Sequence, residues 1–206
     1  MWLRVAPIIV ALTTAAPPSD RTAGAVAHPA EETQTKPQAE SPPPPSPAEM
    51  RAEIYERLAG SKDADETEGL VGLLLTAYAQ SGSDTGDLLL QRTRKAIDAK
   101  DYEAAQKLLD ATIAVLPDWA EAWNARATLR CLEGNLDGSM ADIAETLKRE
   151  PRHLGALLGM ASILESRDKH EEALKVYERV LAIAPHWKSA GEAADKLKAK
   201  IAGENL

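Results

Sequence analysis

Ala120–His153 reads AEAWNARATLRCLEGNLDGSMADIAETLKREPRH, and the way this stretch repeats decides the fold. Its apolar and small residues recur at helical steps of three and four, broken at Gly134-Asn135 and stopped at Pro151. Stretches of 34 residues beginning at Gly86 and Leu154 fall into register with it, and each carries a proline two residues before its end, Pro117 and Pro185. Two columns stay small through all three rows: Ala105, Ser139, Ala173 and Thr93, Ala127, Ala161. Small residues let two helix backbones approach. Large apolar columns surround them, Leu89, Trp123, Leu157 and Leu109, Ile143, Tyr177 among them. Each row is therefore predicted to hold two helices, the first about 13 residues long and the second about 12, joined by a short polar turn that makes them antiparallel. The turns fall at Lys100-Asp101, Gly134-Asn135 and Asp168-Lys169. Proline closes every second helix because it lacks the amide hydrogen that would continue it.

The rest of the chain is read outward from these rows. Ahead of them, Pro47–Leu58 and roughly Asp65–Gln80 are predicted as two helices without the closing proline or the small columns, the second with an apolar face of Val71, Leu75 and Tyr78. This stretch, 47–85, reads as an irregular cap or a decayed repeat that continues the stack. Behind them, Lys188 to about Ala202 places Ala190, Ala193, Ala194, Leu197 and Ile201 on one side and Lys196, Lys198 and Lys200 on the other, as a terminal capping helix requires.

Of the 13 prolines in these 206 residues, ten lie at or before position 47. Met1–Ala16 has one charge, Arg4, and an apolar run from Val5 to Ala16 that is shorter than the ~20 residues of a membrane-spanning helix. Residues 1–27 are read as an export signal. Ala25-Val26-Ala27 offers a cleavage pattern, and a cut near Ala15 or Ala16 is the alternative. Residues 28–46 are rich in Pro, Glu, Thr and Ser and hold no Leu, Ile or aromatic residue, which makes them a disordered linker. Export predicts a periplasmic or secreted protein; an uncleaved signal would anchor it to the inner membrane instead.

A net charge of −8 argues against a nucleic-acid partner. No enzyme is predicted. The four histidines have no paired ligand spacing, the single Cys131 cannot complete a zinc site with them, and no glycine-rich phosphate loop precedes a helix. The sequence thus points to no catalytic residue, no metal and no cofactor. Cys131 stands one turn after Thr128 and reads two ways, as lining of an inner groove or, more commonly for a small residue there, as a half-buried core position.

The three rows, 86–119, 120–153 and 154–187, resemble the tetratricopeptide repeat, through Ala122-Trp123, Ala127, Gly134, Ser139 and Pro151 in the middle row. The resemblance implies an all-α solenoid of antiparallel helix pairs and a non-catalytic adaptor that docks an unidentified protein partner, as an extended peptide or a helix, in a concave groove lined by the first helix of each pair. Carried over by column, that groove comprises Leu90, Arg94 and Ile97, then Asn124, Thr128 and Cys131, then Leu158, Ser162 and Glu165. The family's carboxylate clamp falls on Leu90, Arg94, Ala125, Gly155 and Gly159, so at most one of its five positions has a counterpart. A receptor for chaperone tails is not expected. Two other functions follow from other features: a membrane-tethered scaffold, if the signal stays, and a small-molecule or carbohydrate-binding protein, if the first helices enclose a cavity.

One departure from the family pattern carries charge. A column usually apolar holds Arg92, Arg126 and Met160, and Arg130 stands where a large aromatic is usual. Unpaired burial of a guanidinium is costly, so these arginines either meet carboxylates, with Asp110, Asp142 and Glu145 in reach, or form a basic strip for an anionic ligand.

Overall fold

A computed structural model describes residues 44–204, and every regular element among them is a helix. Nine follow in order: α1 (Pro47–Ala59), α2 (Ala64–Tyr78), α3 (Asp84–Asp98), α4 (Tyr102–Val115), α5 (Ala120–Leu132), α6 (Leu136–Arg149), α7 (Leu154–Ser166), α8 (His170–Ile183) and α9 (Lys188–Glu204). The chain is an all-α helix-pair solenoid with α3–α4, α5–α6 and α7–α8 as its regular pairs and α9 capping α8. The expected export signal and almost all of the linker lie outside the described residues.

The turn inside each pair is the same device three times. Lys100, Gly134 and Asp168 adopt left-handed backbone, with φ of 59°, 78° and 56°. The following amide reaches back five residues, Asp101 to the Ala96 carbonyl, Asn135 to that of Arg130 and Lys169 to that of Leu164, closing a Schellman motif. Asp101 and Asn135 then cap the next helix by accepting from the Ala104 and Gly138 amides at 3.0 and 2.9 Å. Only the middle turn has the glycine that this backbone favours. Lys100→Gly is therefore expected to stabilise the protein by about 1 kcal/mol, the cost of holding an L side chain left-handed, as an increase in the urea midpoint.

The small columns sit where the helices cross. Ala105, Ser139 and Ala173 are buried, as are Thr93, Ala127 and Ala161. Ser139 also donates its hydroxyl to the Ala127 carbonyl at 2.8 Å, so the crossing of α5 and α6 carries no unsatisfied polar group. Tyr177, at the foot of the third pair, is 9% exposed and donates to Glu165 at 2.9 Å.

The first two helices form, but they do not extend the stack. Among the described residues α1–α2 makes no packing face with α3 or α4; α1 packs on α8, and the core is continuous from Leu58, Leu70 and Leu74 to Leu157 and Val180. The buried face of α2 runs through Thr67, Leu70, Val71, Leu74 and Tyr78, and Leu75, which the sequence reading put on that face, is 45% exposed. The hairpin does not share the small columns of the three rows. Instead it lies along the loops that Pro117 and Pro151 create, where interrupted helices leave peptide groups free to be bonded. Trp119 Nε1 donates to the Tyr78 carbonyl at 3.0 Å. Tyr55 and Tyr78 meet hydroxyl to hydroxyl at 2.6 Å, and each lies 3.1 Å from the Arg152 carbonyl. The Leu154 amide donates to Tyr78 Oη at 3.3 Å. Burial pushes both phenols well above the ordinary tyrosine range, so both stay neutral hydrogen-bonding groups.

Candidate functional site

Two first helices, α5 and α7, stand apart enough to leave a cleft, and α6 supplies its floor. The cleft has a volume of about 180 Å3. One wall is Asn124, Thr128 and Cys131 of α5; the other is Gly155, Gly159 and Ser162 of α7; Ser139 and Ile143 lie beneath. The steps 124, 128, 131 and 155, 159, 162 are helical, which puts each set on one face. The glycines leave the α7 wall without side chains, and a Cβ at Gly159 would meet Ile143 Cδ1 at 3.4 Å and one at Gly155 would meet Asn124 Nδ2 at 3.5 Å, both ordinary contact distances.

Four of the nine groove residues expected from sequence, Asn124, Thr128, Cys131 and Ser162, thus meet in one cleft. The others do not join them. Leu90 is 2% exposed, a core residue of α3 and not lining. Ile97 packs on the cluster of Ala105, Leu109 and Leu129, and Leu158 packs on the core around Leu157. Arg94 is exposed, with its guanidinium 3.7 Å from Glu121. Glu165 borders a separate recess of about 330 Å3 against α9, with Ser189, Lys196 and Lys200 on its far side. Cys131 corrects the commoner of its two readings: it is exposed, because its wall of α5 faces the cleft and not α6. The sequence reading placed Gly155 and Gly159 among the five clamp positions but not among the nine groove residues, and Glu121 in neither set. Their signal was the spacing, since Glu121 precedes Asn124 by one turn and the glycines precede Ser162 by one and two.

The arginines resolve into ion pairs. Asp142 of α6, 2% exposed, accepts from Arg126 Nε at Oδ2 and from Nη2 at Oδ1, at 3.0 and 2.9 Å, and Arg130 Nη1 lies 2.9 Å from the same Oδ2. Arg126 Nη1 also bonds Asp110 of α4 at 2.8 Å. The hydrogen bonds that Arg126 donates to Asp142 push its guanidinium further above the ordinary arginine range. Partial burial pushes the Asp110 carboxyl up, but bonds from Gln106 and Arg126 outweigh it and hold the group below the usual range. Glu145 is not used by this cluster; it accepts from Arg149 of its own helix. Arg92 is exposed. Two of the three arginines of the expected basic strip are thus engaged by carboxylates across α4, α5 and α6, and what remains accessible in the cleft is polar and apolar surface.

A tetratricopeptide repeat family model matches residues 133–186. A TPR repeat-containing protein of Rhizobium etli is 40% identical over 158 residues, spanning 77% of this chain and 78% of that protein. Among solved structures, the first TPR of Spaghetti (RPAP3), bound to the HSP90 peptide SRMEEVD, superposes with a TM-score of 0.54 at 20% identity, covering 58% of this chain and 98% of that one. The TPR2B domain of yeast Sti1 in complex with an Hsp70 peptide superposes at 0.51 with 18% identity, covering 59% and 99%. At those identities the superpositions speak for the fold.

Proposed function

Because the chain belongs to the tetratricopeptide-repeat family, we propose that it is a non-catalytic adaptor that holds a segment of a partner protein in the cleft between α5 and α7. The observation that carries this reading is the convergence of Asn124, Thr128, Cys131 and Ser162 on one open cleft. The hydroxyl and amide groups suit the backbone of an extended peptide or the polar flank of a helix, and Ile143, Ile163 and Leu132 suit one apolar side chain between them. About 180 Å3 is room for a side chain and small for a metabolite, whose pockets run from roughly 300 Å3 upward. The structural neighbours named above bind chaperone peptides. This cleft favours a different segment: Leu90 is buried, and Gly155 and Gly159 bring no cation to a terminal carboxylate.

The place of action in this proposal is the periplasm, on the strength of the apolar run from Val5 to Ala16. Mass spectrometry of the mature protein tests it: a terminus near His28 supports release, and an intact Met1 supports the tethered scaffold. The cleft itself is tested with Thr128→Arg and Ser162→Arg, both at exposed positions where a long cation fills the space without disturbing the core. Each variant is expected to keep the helical circular dichroism of the parent and to lose capture of envelope proteins by more than about tenfold, the usual effect of blocking a binding centre. Unchanged capture by both variants would overturn the proposal.

A further inference from the structure

Beside the cleft, one carboxylate connects it to the distant α1–α2 hairpin. Glu121 Oε2 accepts from Asn124 Nδ2 at 3.0 Å on the cleft side and lies 3.2 Å from His153 Nε2 on the other; Arg94 reaches its second oxygen at 3.7 Å. His153 is 1% exposed, and its Nδ1 accepts from the Ala156 amide at 3.2 Å, capping α7. The ring proton therefore sits on Nε2 and is donated to Glu121. The same imidazole lies flat on Tyr78 of α2, with ring centroids 3.9 Å apart and planes 17° from parallel. Glu121 also borders a small cavity of about 60 Å3 enclosed by Tyr78 and Arg51 of the hairpin and by Arg149 and Glu150 of α6 and its end. The carboxylate thus stands between two spaces, and its two hydrogen-bond donors, Asn124 from the cleft side and His153 from the hairpin side, share the single oxygen Oε2.

We propose that Glu121 is a positioning residue that fixes the α1–α2 hairpin through His153, so that a donor brought by a partner in the cleft competes for this carboxylate and loosens the hairpin. The competition rests on the cleft being the partner site; the positioning does not. Drawing Glu121 toward the cleft leaves the buried His153 Nε2–H without its acceptor, and an unsatisfied buried donor weakens whatever packing holds it there. The element that responds is the Tyr78 end of α2, which meets Tyr55 of α1 hydroxyl to hydroxyl.

Hydrogen exchange of the full chain, with no partner present, tests both halves. Glu121→Ala is expected to speed exchange of the α1–α2 amides about tenfold more than those of α3–α4, the worth of one charge-assisted hydrogen bond. Glu121→Gln keeps an acceptor oxygen without the charge and serves if the alanine variant does not fold, with about a threefold preferential effect expected. Asn124→Lys mimics the competing donor by placing a cation three residues from Glu121 on the cleft wall, and it too is expected to speed α1–α2 by about threefold. Equal acceleration of α1–α2 and α3–α4 in the Glu121 variants, or no change, would overturn the positioning role; an unchanged α1–α2 in Asn124→Lys would overturn the competition. Because no partner enters these measurements, either failure leaves the cleft proposal standing.

Discussion

Asp142→Ala is expected to lower the unfolding free energy by about 3 kcal/mol, the lower end of the cost of removing one partner from a buried ion cluster. Asp142 is 2% exposed and serves two guanidiniums at once, those of Arg126 and Arg130. Without it Arg126 keeps Asp110, which is half exposed, and the face of Trp123, and Arg130 keeps the Gly138 carbonyl. Both arginine heads have some access to water, at 14% and 24% exposure, which places the effect at the lower end. The loss is a property of the stranded cations. A triple variant, Arg126→Met, Arg130→Leu and Asp142→Leu, is accordingly expected to fall by less than the single one, since it removes the charges along with their partner. Urea denaturation of the three proteins checks this, and a triple variant weaker than Asp142→Ala would show that the cluster contributes net stability as a unit.

Tyr78→Ala is expected to cost about 3 to 5 kcal/mol, as deletion of a large buried aromatic does, and Tyr78→Phe about 1 to 2. Tyr78 is 3% exposed. Its ring supports His153, its hydroxyl accepts from the Leu154 amide and meets Tyr55, and its carbonyl receives Trp119. These contacts join α2 to the loops at both ends of the second helix pair. The loss should therefore appear in the main cooperative transition, followed by far-ultraviolet circular dichroism in urea. If α1–α2 were an independent cap, the variant would instead release the hairpin alone and leave the main transition where it was.

What the sequence made legible was whatever repeats. Ala105, Ser139 and Ala173 could be named as crossing residues because three rows share the column, and the proline near each row's end fixed where a helix must stop. The α1–α2 hairpin has no second copy to be aligned with, and its docking depends on Arg152 and Leu154, some 75 to 100 residues away, so nothing local could announce it. Residues carried over by column line the cleft where the column faces it, as at Thr128 and Ser162, whereas Leu90 of α3 is buried. Arg126 and Arg130 were recognisable as an anomaly, and Asp142 was already among their possible partners; what only the packing showed is that one buried carboxylate takes both.

The cleft between α5 and α7 contains the chain's only thiol, Cys131, and that thiol reports directly on its occupancy. The rate at which a small alkylating reagent modifies Cys131 in the full-length protein should fall by about tenfold or more when the captured partner is bound, because a seated segment excludes reagent from the site. A Cys131 alkylated at the same rate with and without saturating partner would mean that the partner docks elsewhere and that this cleft is not the binding site.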